Sequence, residues 1–226
     1  MTLIYPQKKI NKLINFNPKI IFHLGEYSRV ETSFEDKDLV WDSNSQAIFY
    51  VLEFAVKTNS KLVYAGSSTK FSSGNTSSNS SPYSWSKATN TTLVKNYGKW
   101  FGLRYAITYF YNVYGLGEID AGKYATVIGI FSRSIKGGGK IPVVSPGTQV
   151  RNFTHIDDIV SGLLLVGEKG DGDNYGIGSK KSYRIIDVAN MFGGEIEFLE
   201  ERRGNRMSAE LITDKTEKLG WKPKID

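Results

Sequence analysis

Short apolar segments alternate with longer helical patterns along the first half of the chain. Residues 19–25, 61–66 and 105–111 are rich in β-branched, aliphatic or aromatic side chains, as in strands that are buried on both faces of a sheet. Residues 39–58 carry apolar positions at helical spacing, and residues 83–100 are predicted to form a helix that follows a Ser-Pro step. This alternation predicts an α/β fold with a doubly wound parallel sheet.

The pattern breaks into shorter elements in the second half of the chain. Helices are predicted at residues 125–135 and 157–166, and Asp157 and Asp158 are expected to cap the second of them. We therefore expect two regions, an α/β core over residues 1–115 and a smaller mixed region over residues 116–226, with some segments of the latter returning to the core.

Composition limits the class of protein without identifying it. The chain has 226 residues, 40% of them hydrophobic, which is enough to bury the core of one large or two modest domains. It contains no cysteine, which excludes disulfides and thiolate chemistry and fits a reducing compartment. No apolar run approaches the roughly 20 residues of a membrane span, and the N-terminus lacks the pattern of a signal peptide. We expect a cytoplasmic protein without a membrane partner.

The formal net charge of +6 favours anionic partners. The lysines and arginines are scattered, so a phosphorylated small molecule explains the charge as well as a nucleic acid does. We expect no nucleic-acid partner. No cluster of His, Asp and Glu has the spacing of metal ligands, and we expect no metal site.

Three residues near the second predicted strand could together move a proton. Ser67 follows this strand at its carboxyl end, where open α/β sheets bind ligands. Tyr83 and Lys87 are four residues apart, so they share one face of a helix. An ammonium beside a phenol stabilises the phenolate, which makes tyrosine a usable general base toward a substrate hydroxyl. Ser67 could hydrogen-bond the same oxygen.

The same spacing also arises by chance. A second pair, Tyr5 and Lys9, has it without an upstream strand that ends in serine. A tyrosine and a lysine four residues apart are more often a plain surface pair. The residues alone therefore leave both a catalytic and a surface role open for Tyr83 and Lys87.

Further segments match one family in their order along the chain. They are His23-Leu24-Gly25, Asn44, Ser67, Tyr83 with Lys87, Asn112-Val113-Tyr114-Gly115, the block that begins Arg151-Asn152-Phe153, Tyr175-Gly176-Ile177-Gly178, Arg202-Arg203-Gly204-Asn205 and Leu219-Gly220-Trp221-Lys222-Pro223. With them the chain resembles the extended short-chain dehydrogenase/reductase family, in particular the NAD-dependent nucleotide-sugar epimerases and dehydratases related to UDP-glucose 4-epimerase. The resemblance covers nearly the whole chain.

The resemblance implies a Rossmann-like dinucleotide-binding region, a nucleotide-sugar region after it, and specific roles for individual residues. The implied catalytic residues are Ser67, Tyr83 and Lys87. The implied NAD contacts are His23, Leu24, Gly25, Asn44, Tyr83 and Lys87. The implied contacts with a nucleotide-sugar substrate are Ser68, Asn112, Arg151 and Arg202, with the two arginines on the diphosphate.

Some of these residues have simpler interpretations. Asn112 could close a turn, and Arg151 and Arg202 could form surface ion pairs, which stabilise proteins little. His23 lies in a predicted strand, so we expect it to be packed and hydrogen-bonded rather than to act as a base. Trp221 and Pro223 are expected to be structural.

One part of the family pattern is not found. The family begins with a strand, a Gly-x-x-Gly-x-x-Gly loop and a helix, and nothing before Ile20 resembles this unit. Those glycines let the backbone approach the pyrophosphate of NAD, so we expect this chain alone to bind NAD weakly or not at all. A truncated gene or clone and a natural half that pairs with another chain are both open explanations. Smaller departures are Tyr109 for an arginine, Gly176 for an asparagine and Asn205 for an aspartate.

These features predict NAD-dependent epimerisation of a nucleotide sugar by transient oxidation at a sugar hydroxyl carbon, or a truncated form of such an enzyme. The 4,6-dehydratase branch carries Asp-Glu directly after its catalytic threonine, whereas Ser68-Thr69 follows Ser67 here, so dehydration is disfavoured. The alternative is a non-catalytic nucleotide-sugar- or partner-binding remnant that has lost its cofactor site. The resemblance also implies a homodimer for the complete protein.

Overall fold

The computed structural model describes residues 14–71, 80–201, 207–208 and 210–225. The strands are β1 (Ile20–His23), β2 (Lys61–Ala65), β3 (Tyr105–Phe110), β4 (Val113–Tyr114), β5 (Ile141–Val144), β6 (Val150–Asn152), β7 (Thr154–His155), β8 (Gly172–Ile177), β9 (Ser182–Arg184) and β10 (Ile196–Leu199). The helices are α1 (Lys37–Val40), α2 (Ala47–Lys57), α3 (Pro82–Phe101), α4 (Val127–Lys136), α5 (Ile156–Lys169), α6 (Ile185–Met191) and α7 (Asp214–Lys218). A π-helical segment, Trp41–Gln46, joins α1 to α2, and 3₁₀ turns lie at Ile14–Phe16, Glu31–Phe34 and Ser68–Phe71.

The main sheet has four parallel strands in the order β1-β2-β3-β8. Its neighbouring strands are far apart in sequence and are joined by helical crossovers, as in a doubly wound fold. The predicted α/β fold with a parallel sheet is confirmed. The last strand, β8, comes from the second half of the chain and pairs with β3, so this half contributes directly to the main sheet.

Strand β1 differs from its prediction in burial. Its sequence predicted a strand buried on both faces, but Ile20 and Ile21 are half-buried and Phe22 is 36% exposed. The physical reason is its position, because β1 is an edge strand of the four described strands and only β2 pairs with it there. A short apolar run does not reveal whether its strand lies at the centre or the edge of a sheet.

Apolar cores lie on both faces of the sheet. On one face, Leu52 of α2 and Val94 of α3 pack against Tyr64 and Ile107 of the central strands. On the other face, residues of α5 and the C-terminal segment pack against the sheet. This second core contains Val63, Ile159, Leu163, Ile177 and Trp221.

Helix α3 begins and ends with strong local signals. Ser81 is its N-cap and accepts a hydrogen bond from the Ser84 N–H at 3.0 Å, and Pro82 occupies the first turn. Gly102 follows the last turn with φ of 67°, a left-handed conformation that glycine adopts without strain. These signals fix where the helix starts, and therefore which side chains of its first two turns face the end of β2.

Helix α5 is capped by a different residue than predicted. The N-cap is His155, whose Nδ1 accepts from the Asp157 N–H at 3.3 Å. Asp158 lies in the first turn, and its carboxylate accepts from the N–H groups of Lys224 and Ile225, each at 2.9 Å. The expected capping aspartate instead fastens the C-terminal segment to α5.

The second half also forms small two-stranded sheets, β4 with β7, β5 with β10 and β6 with β9. Helices α4 and α6 pack against β5 around a separate apolar cluster. The buried members of this cluster are Phe131, Ile141, Val143, Val188 and Ala189.

Two departures from the family pattern have structural explanations. A Cβ atom at Gly176 would lie 1.5 Å from the carbonyl oxygen of Ile212, so the backbone packs where a side chain would stand. Tyr109 is buried and donates to Asp173 at 2.6 Å, which in turn binds Lys70 at 2.8 Å. The third departure, Asn205, lies outside the described residues.

Candidate active site

Ser67 and Tyr83 meet at the carboxyl end of β2. The Tyr83 hydroxyl donates to Ser67 Oγ at 3.1 Å, although the two residues are 16 positions apart in the chain. Ser67 Oγ also accepts from the hydroxyl of Thr69 at 2.9 Å and from its N–H at 3.3 Å. Because Thr69 donates to Ser67, the Ser67 O–H is directed elsewhere and can donate to another oxygen.

Lys87 lies one helical turn after Tyr83, but its ammonium binds other groups. Nζ donates to the carboxylate of Glu26 and to the carbonyl oxygen of Ala65, and it lies 4.5 Å from the centre of the Tyr64 ring. The direct contact between Lys87 and Tyr83 that the spacing suggested is not among the interactions of the described residues. Lys87 is buried, with 7% of its side chain exposed, so its charge needs the partner that Glu26 provides.

Glu26 is a buried carboxylate surrounded by hydrogen-bond donors. His23 Nε2 donates to it at 3.1 Å, the Tyr64 hydroxyl at 2.9 Å and Asn90 Nδ2 at 3.2 Å, in addition to Lys87. We call these five residues the Glu26 cluster. It ties together β1, β2 and α3 directly beside Ser67 and Tyr83.

The Glu26 cluster shifts the ionisation of two of its members. Burial alone would raise the pKa of Glu26, but the charge of Lys87 and the hydrogen bond from His23 outweigh it and hold the pKa below its ordinary value. Burial, followed by the charge of Glu26, raises the pKa of the Tyr64 phenol well above its ordinary range. The cluster therefore holds an ionised carboxylate beside a protonated phenol.

Sequence reasoning did not identify Glu26. The available signal was its position three residues after His23, at the carboxyl end of β1, where a parallel sheet presents its ligand-binding edge. The segment that resembles the family ends at Gly25 and does not include the carboxylate next to it.

The remaining predicted cofactor contacts occupy different environments. His23 is 5% exposed and stacks on Tyr64, as expected for a packed residue, whereas Leu24 is 49% exposed. Asn44 is fully buried, and its side chain accepts from the Tyr27 N–H at 2.7 Å and donates to Ser86 Oγ at 2.9 Å. Its carbonyl oxygen also accepts from Asn90 of the Glu26 cluster at 3.1 Å. Asn44 thus helps to position the residues around the site through hydrogen bonds with Tyr27, Ser86 and Asn90.

Two cavities adjoin these residues. The first, which we call the Arg151 cavity, has a volume of about 500 Å³ and is lined in part by Arg29, Asn112, Gln149 and Arg151. The second, which we call the Gly25 cavity, has a volume of about 550 Å³. Its lining includes Gly25, Glu26, Ser28, Arg29 and Tyr124.

The predicted substrate contacts are only partly brought together. Asn112 donates to the carbonyl oxygen of Asn152 at 2.9 Å and has φ of 35°, so it closes a turn and lines the Arg151 cavity at once. Arg151 lines the same cavity and donates from Nη1 to the carbonyl oxygen of Val150 at 2.8 Å. Ser68 is half-buried at the start of a 3₁₀ turn beside Ser67. Arg202 lies outside the described residues.

Within the described residues, no group of three or more His, Cys, Asp or Glu side chains could hold a metal ion. No helix in that part of the chain is long and apolar enough to cross a membrane.

Comparisons with known proteins agree on one family. The family model described as "NAD dependent epimerase/dehydratase family" matches residues 4–178. A putative UDP-glucose 4-epimerase of Methanocaldococcus jannaschii is 29% identical over 236 residues, covering 97% of this chain and 77% of that protein.

Solved structures share the fold at lower identity. The UDP-glucose 4-epimerase of Thermotoga maritima, solved with UDP-glucose, superposes with a TM-score of 0.91 at 23% identity, covering 99% of this chain and 78% of that one. The dTDP-glucose 4,6-dehydratase of Streptomyces venezuelae, solved with NAD, has a TM-score of 0.83 at 24% identity, covering 97% of this chain and 73% of that one. The chain thus spans about three quarters of each of these structures.

Proposed function

Because the chain belongs to the NAD dependent epimerase/dehydratase family, we propose that it carries the catalytic site of a nucleotide-sugar epimerase. In this proposal a sugar hydroxyl carbon is transiently oxidised, with Tyr83 as the general base. The observation that carries it is the hydrogen bond of 3.1 Å between the Tyr83 hydroxyl and Ser67 Oγ at the carboxyl end of β2.

In this proposal the described residues would hold one half of the NAD cofactor. Lys87 has partners within the described residues for two of its three N–H groups, which leaves one for a ribose hydroxyl. Gly25 lines a cavity next to the exposed side chain of Leu24, which offers space and an apolar surface to a flat ring. His23, Leu24, Gly25, Tyr83 and Lys87 would hold the nicotinamide riboside, with Asn44 in support. When bound, NAD would supply the hydride chemistry that transiently oxidises the sugar carbon.

Tyr83 and Ser67 would handle the proton at the sugar oxygen. In the structure the phenol donates to Ser67 Oγ, so the two oxygens lie close enough to contact the same substrate hydroxyl. In its phenolate form, Tyr83 would accept the proton of a substrate hydroxyl whose oxygen also accepts a hydrogen bond from Ser67, since the Ser67 O–H is directed away from Thr69. Lys87 would place its remaining N–H on the cofactor side of the site, with its charge balanced by Glu26.

The surroundings of Ser67 favour epimerisation over dehydration. Elimination of water needs an acid close to the reacting carbons. Next to Ser67 the chain offers the hydroxyl groups of Ser68 and Thr69, and Thr69 is already bonded to Ser67. Glu26, the carboxylate of the Glu26 cluster, is ionised and already bound by four donors, so it is poorly suited to give up a proton.

The Arg151 cavity is the proposed site of the nucleotide diphosphate. Arg151 and Asn112 line it, and an arginine presents N–H groups in the planar arrangement that phosphate oxygens accept. Arg202, which the resemblance assigns to the same diphosphate, remains part of this proposal.

The test supplies a panel of UDP- and dTDP-sugars to the chain and analyses the products by NMR. NAD is added in large excess, because weak binding of NAD is expected without the glycine-rich loop. We expect interconversion of two epimers, and Tyr83→Phe should reduce turnover by about 10²- to 10⁴-fold while nucleotide binding persists. Tyr50→Phe, on α2 and outside both cavities, is the matched control. A 4-keto-6-deoxy product would overturn epimerisation, and an unchanged rate in Tyr83→Phe would overturn the role of Tyr83.

A second candidate function is a non-catalytic nucleotide-sugar-binding protein. The pairing of Lys87 with Glu26 favours it, because the ammonium already has a buried counter-ion within the protein. This candidate predicts binding of UDP or dTDP without turnover, even when NAD is saturating. Calorimetric binding and product analysis on the same preparation separate the two functions.

A further inference from the structure

Arg29 stands where the two cavities adjoin. Together with Thr126, it lines both the Arg151 cavity and the Gly25 cavity. If the nucleotide diphosphate occupies the first cavity and the reacting carbon lies near Tyr83, the sugar must pass this boundary. Arg29 is thus next to the proposed path of the sugar.

The guanidinium of Arg29 is incompletely paired. Its Nη2 donates to the carbonyl oxygen of Tyr124, whereas its Nε is buried without a hydrogen-bond partner in the described part of the chain. Only three buried side-chain atoms there lack a partner, and a second one is Gln149 Oε1, which also lines the Arg151 cavity. A buried N–H without an acceptor is costly, so this region is better satisfied when a ligand supplies polar atoms.

The guanidinium of Arg29 is half-buried and forms no ion pair with another of the described residues. Burial is the largest influence on its pKa and lowers it, while the nearby charges of Glu31 and the Tyr83 side chain act in the opposite direction. Glu31 is exposed, so solvent screens its interaction with the guanidinium.

We propose that Arg29 binds a carboxylate carried by the sugar of the substrate and thereby selects acidic nucleotide sugars. The inference rests on the proposed function, because it takes a nucleotide sugar as the ligand. A carboxylate matches the fork of guanidinium N–H groups and neutralises the half-buried charge, whereas a neutral hydroxyl can accept only one N–H and leaves the charge uncompensated. Arg151 remains for the diphosphate, which frees Arg29 for the sugar.

Binding measured by isothermal titration calorimetry tests the proposal without turnover. The ligands are UDP alone, the neutral sugars UDP-glucose and UDP-N-acetylglucosamine, and the acidic sugars UDP-glucuronate and UDP-N-acetylmuramate, whose carboxylates lie on different sides of the ring. The proteins are the wild-type chain, Arg29→Met, Arg29→Lys and the control Arg133→Met, which removes an exposed arginine from α4.

We expect the wild-type chain to bind at least one acidic sugar about tenfold or more tightly than its neutral counterpart. Arg29→Met should abolish this preference and leave the affinity for UDP and for neutral sugars within about threefold, whereas Arg133→Met should preserve it. Arg29→Lys should keep part of the preference, because it keeps the charge but not the planar fork.

Two results would overturn the inference while leaving the proposed function intact. One is a wild-type chain that binds acidic and neutral sugars equally. The other is an Arg29→Met variant that weakens UDP as much as it weakens the sugars, which would assign Arg29 to the diphosphate. A wild-type chain that binds none of the five ligands would overturn both the inference and the proposed nucleotide-sugar function. Circular dichroism of each variant identifies any loss due to misfolding, and in that case Arg29→Lys decides.

Discussion

Replacing Glu26 by glutamine is the most direct perturbation of the candidate site. Glu26 is the common acceptor for His23, Tyr64, Lys87 and Asn90. Glutamine keeps the shape of the side chain but removes its charge. It also puts an N–H₂ group where donors converge, so at least one buried donor loses its acceptor.

The magnitude follows from burial. The side chains of Glu26 and Lys87 are 4% and 7% exposed, so solvent cannot compensate the charge that remains. Removing one partner of a buried ion pair typically costs about 3–5 kcal/mol. A natural protein has a total stability of roughly 5–15 kcal/mol, so Glu26→Gln should be strongly destabilised but can still be folded at low urea.

Urea unfolding followed by circular dichroism measures the effect as a double-mutant cycle. Glu26→Gln and Lys87→Met should each lower the midpoint by about 1–2 M urea. The double variant removes both charges and should be more stable than the sum of the single effects predicts, with a coupling of about 2 kcal/mol. Glu195→Gln, which breaks the exposed pair with Lys140, is the control and should leave the midpoint unchanged.

Two outcomes would refute this reasoning. If the effects of Glu26→Gln and Lys87→Met add to within about 0.5 kcal/mol, the two charges do not stabilise each other. If Glu26→Gln unfolds at the same urea concentration as the wild-type chain, the carboxylate is not the acceptor on which the buried donors depend.

Three further predictions concern stability. Asp158→Asn should lower the free energy of unfolding in urea by about 1–3 kcal/mol, because the amide oxygen and nitrogen cannot both accept from the two backbone N–H groups that the carboxylate binds. An unchanged urea midpoint would contradict this. Gly176→Ala should lower the free energy of unfolding by about 1–3 kcal/mol or more, since its Cβ would lie 1.5 Å from a backbone oxygen. In the control Gly137→Ala the nearest atom to the Cβ is 3.4 Å away, so this substitution should be tolerated. Burial alone would raise the pKa of Asp173, but hydrogen bonds from two lysines and a tyrosine lower it to about 2, and the pKa of Glu26 is likewise lowered. The unfolded chain therefore takes up protons first as the pH falls, so stability should hold above about pH 4.5 and decline toward pH 2, and equal urea midpoints at about pH 7 and pH 3 would argue against it.

Much of the fold could be predicted because burial leaves a direct trace in the sequence. Parallel strands covered by helices on both sides become apolar runs, and the runs at residues 61–66 and 105–111 predict the strands Lys61–Ala65 and Tyr105–Phe110 of the structure. The Ser-Pro step before α3 likewise predicts the start of a helix from adjacent residues alone. The order of strands is not local, so the same reasoning predicts β1 to be buried on both faces, although it lies at the edge of the described sheet and is partly exposed.

In the candidate site, too, contacts between neighbouring elements could be predicted and contacts between distant residues could not. The pairing of Ser67 with Tyr83 could be anticipated because one residue ends a strand and the other begins the next helix. The Glu26 cluster could not, because the partners of Glu26 lie 3, 38, 61 and 64 positions away in the chain. Spacing rules relate residues within one helix or strand, and they say nothing about a carboxylate that accepts from several elements.

The Glu26 cluster also changes how the spacing of Tyr83 and Lys87 should be understood. An isolated ammonium one turn from a phenol would act mainly on the phenol. Here the ammonium is fixed by the Glu26 carboxylate and by the carbonyl oxygen of Ala65, the last residue of β2. Lys87 therefore joins the first turns of α3 to the ends of two strands, and this junction sets the distance between Tyr83 and Ser67. A substitution at Glu26 should consequently alter both the stability of the sheet edge and the geometry of the proposed proton transfer.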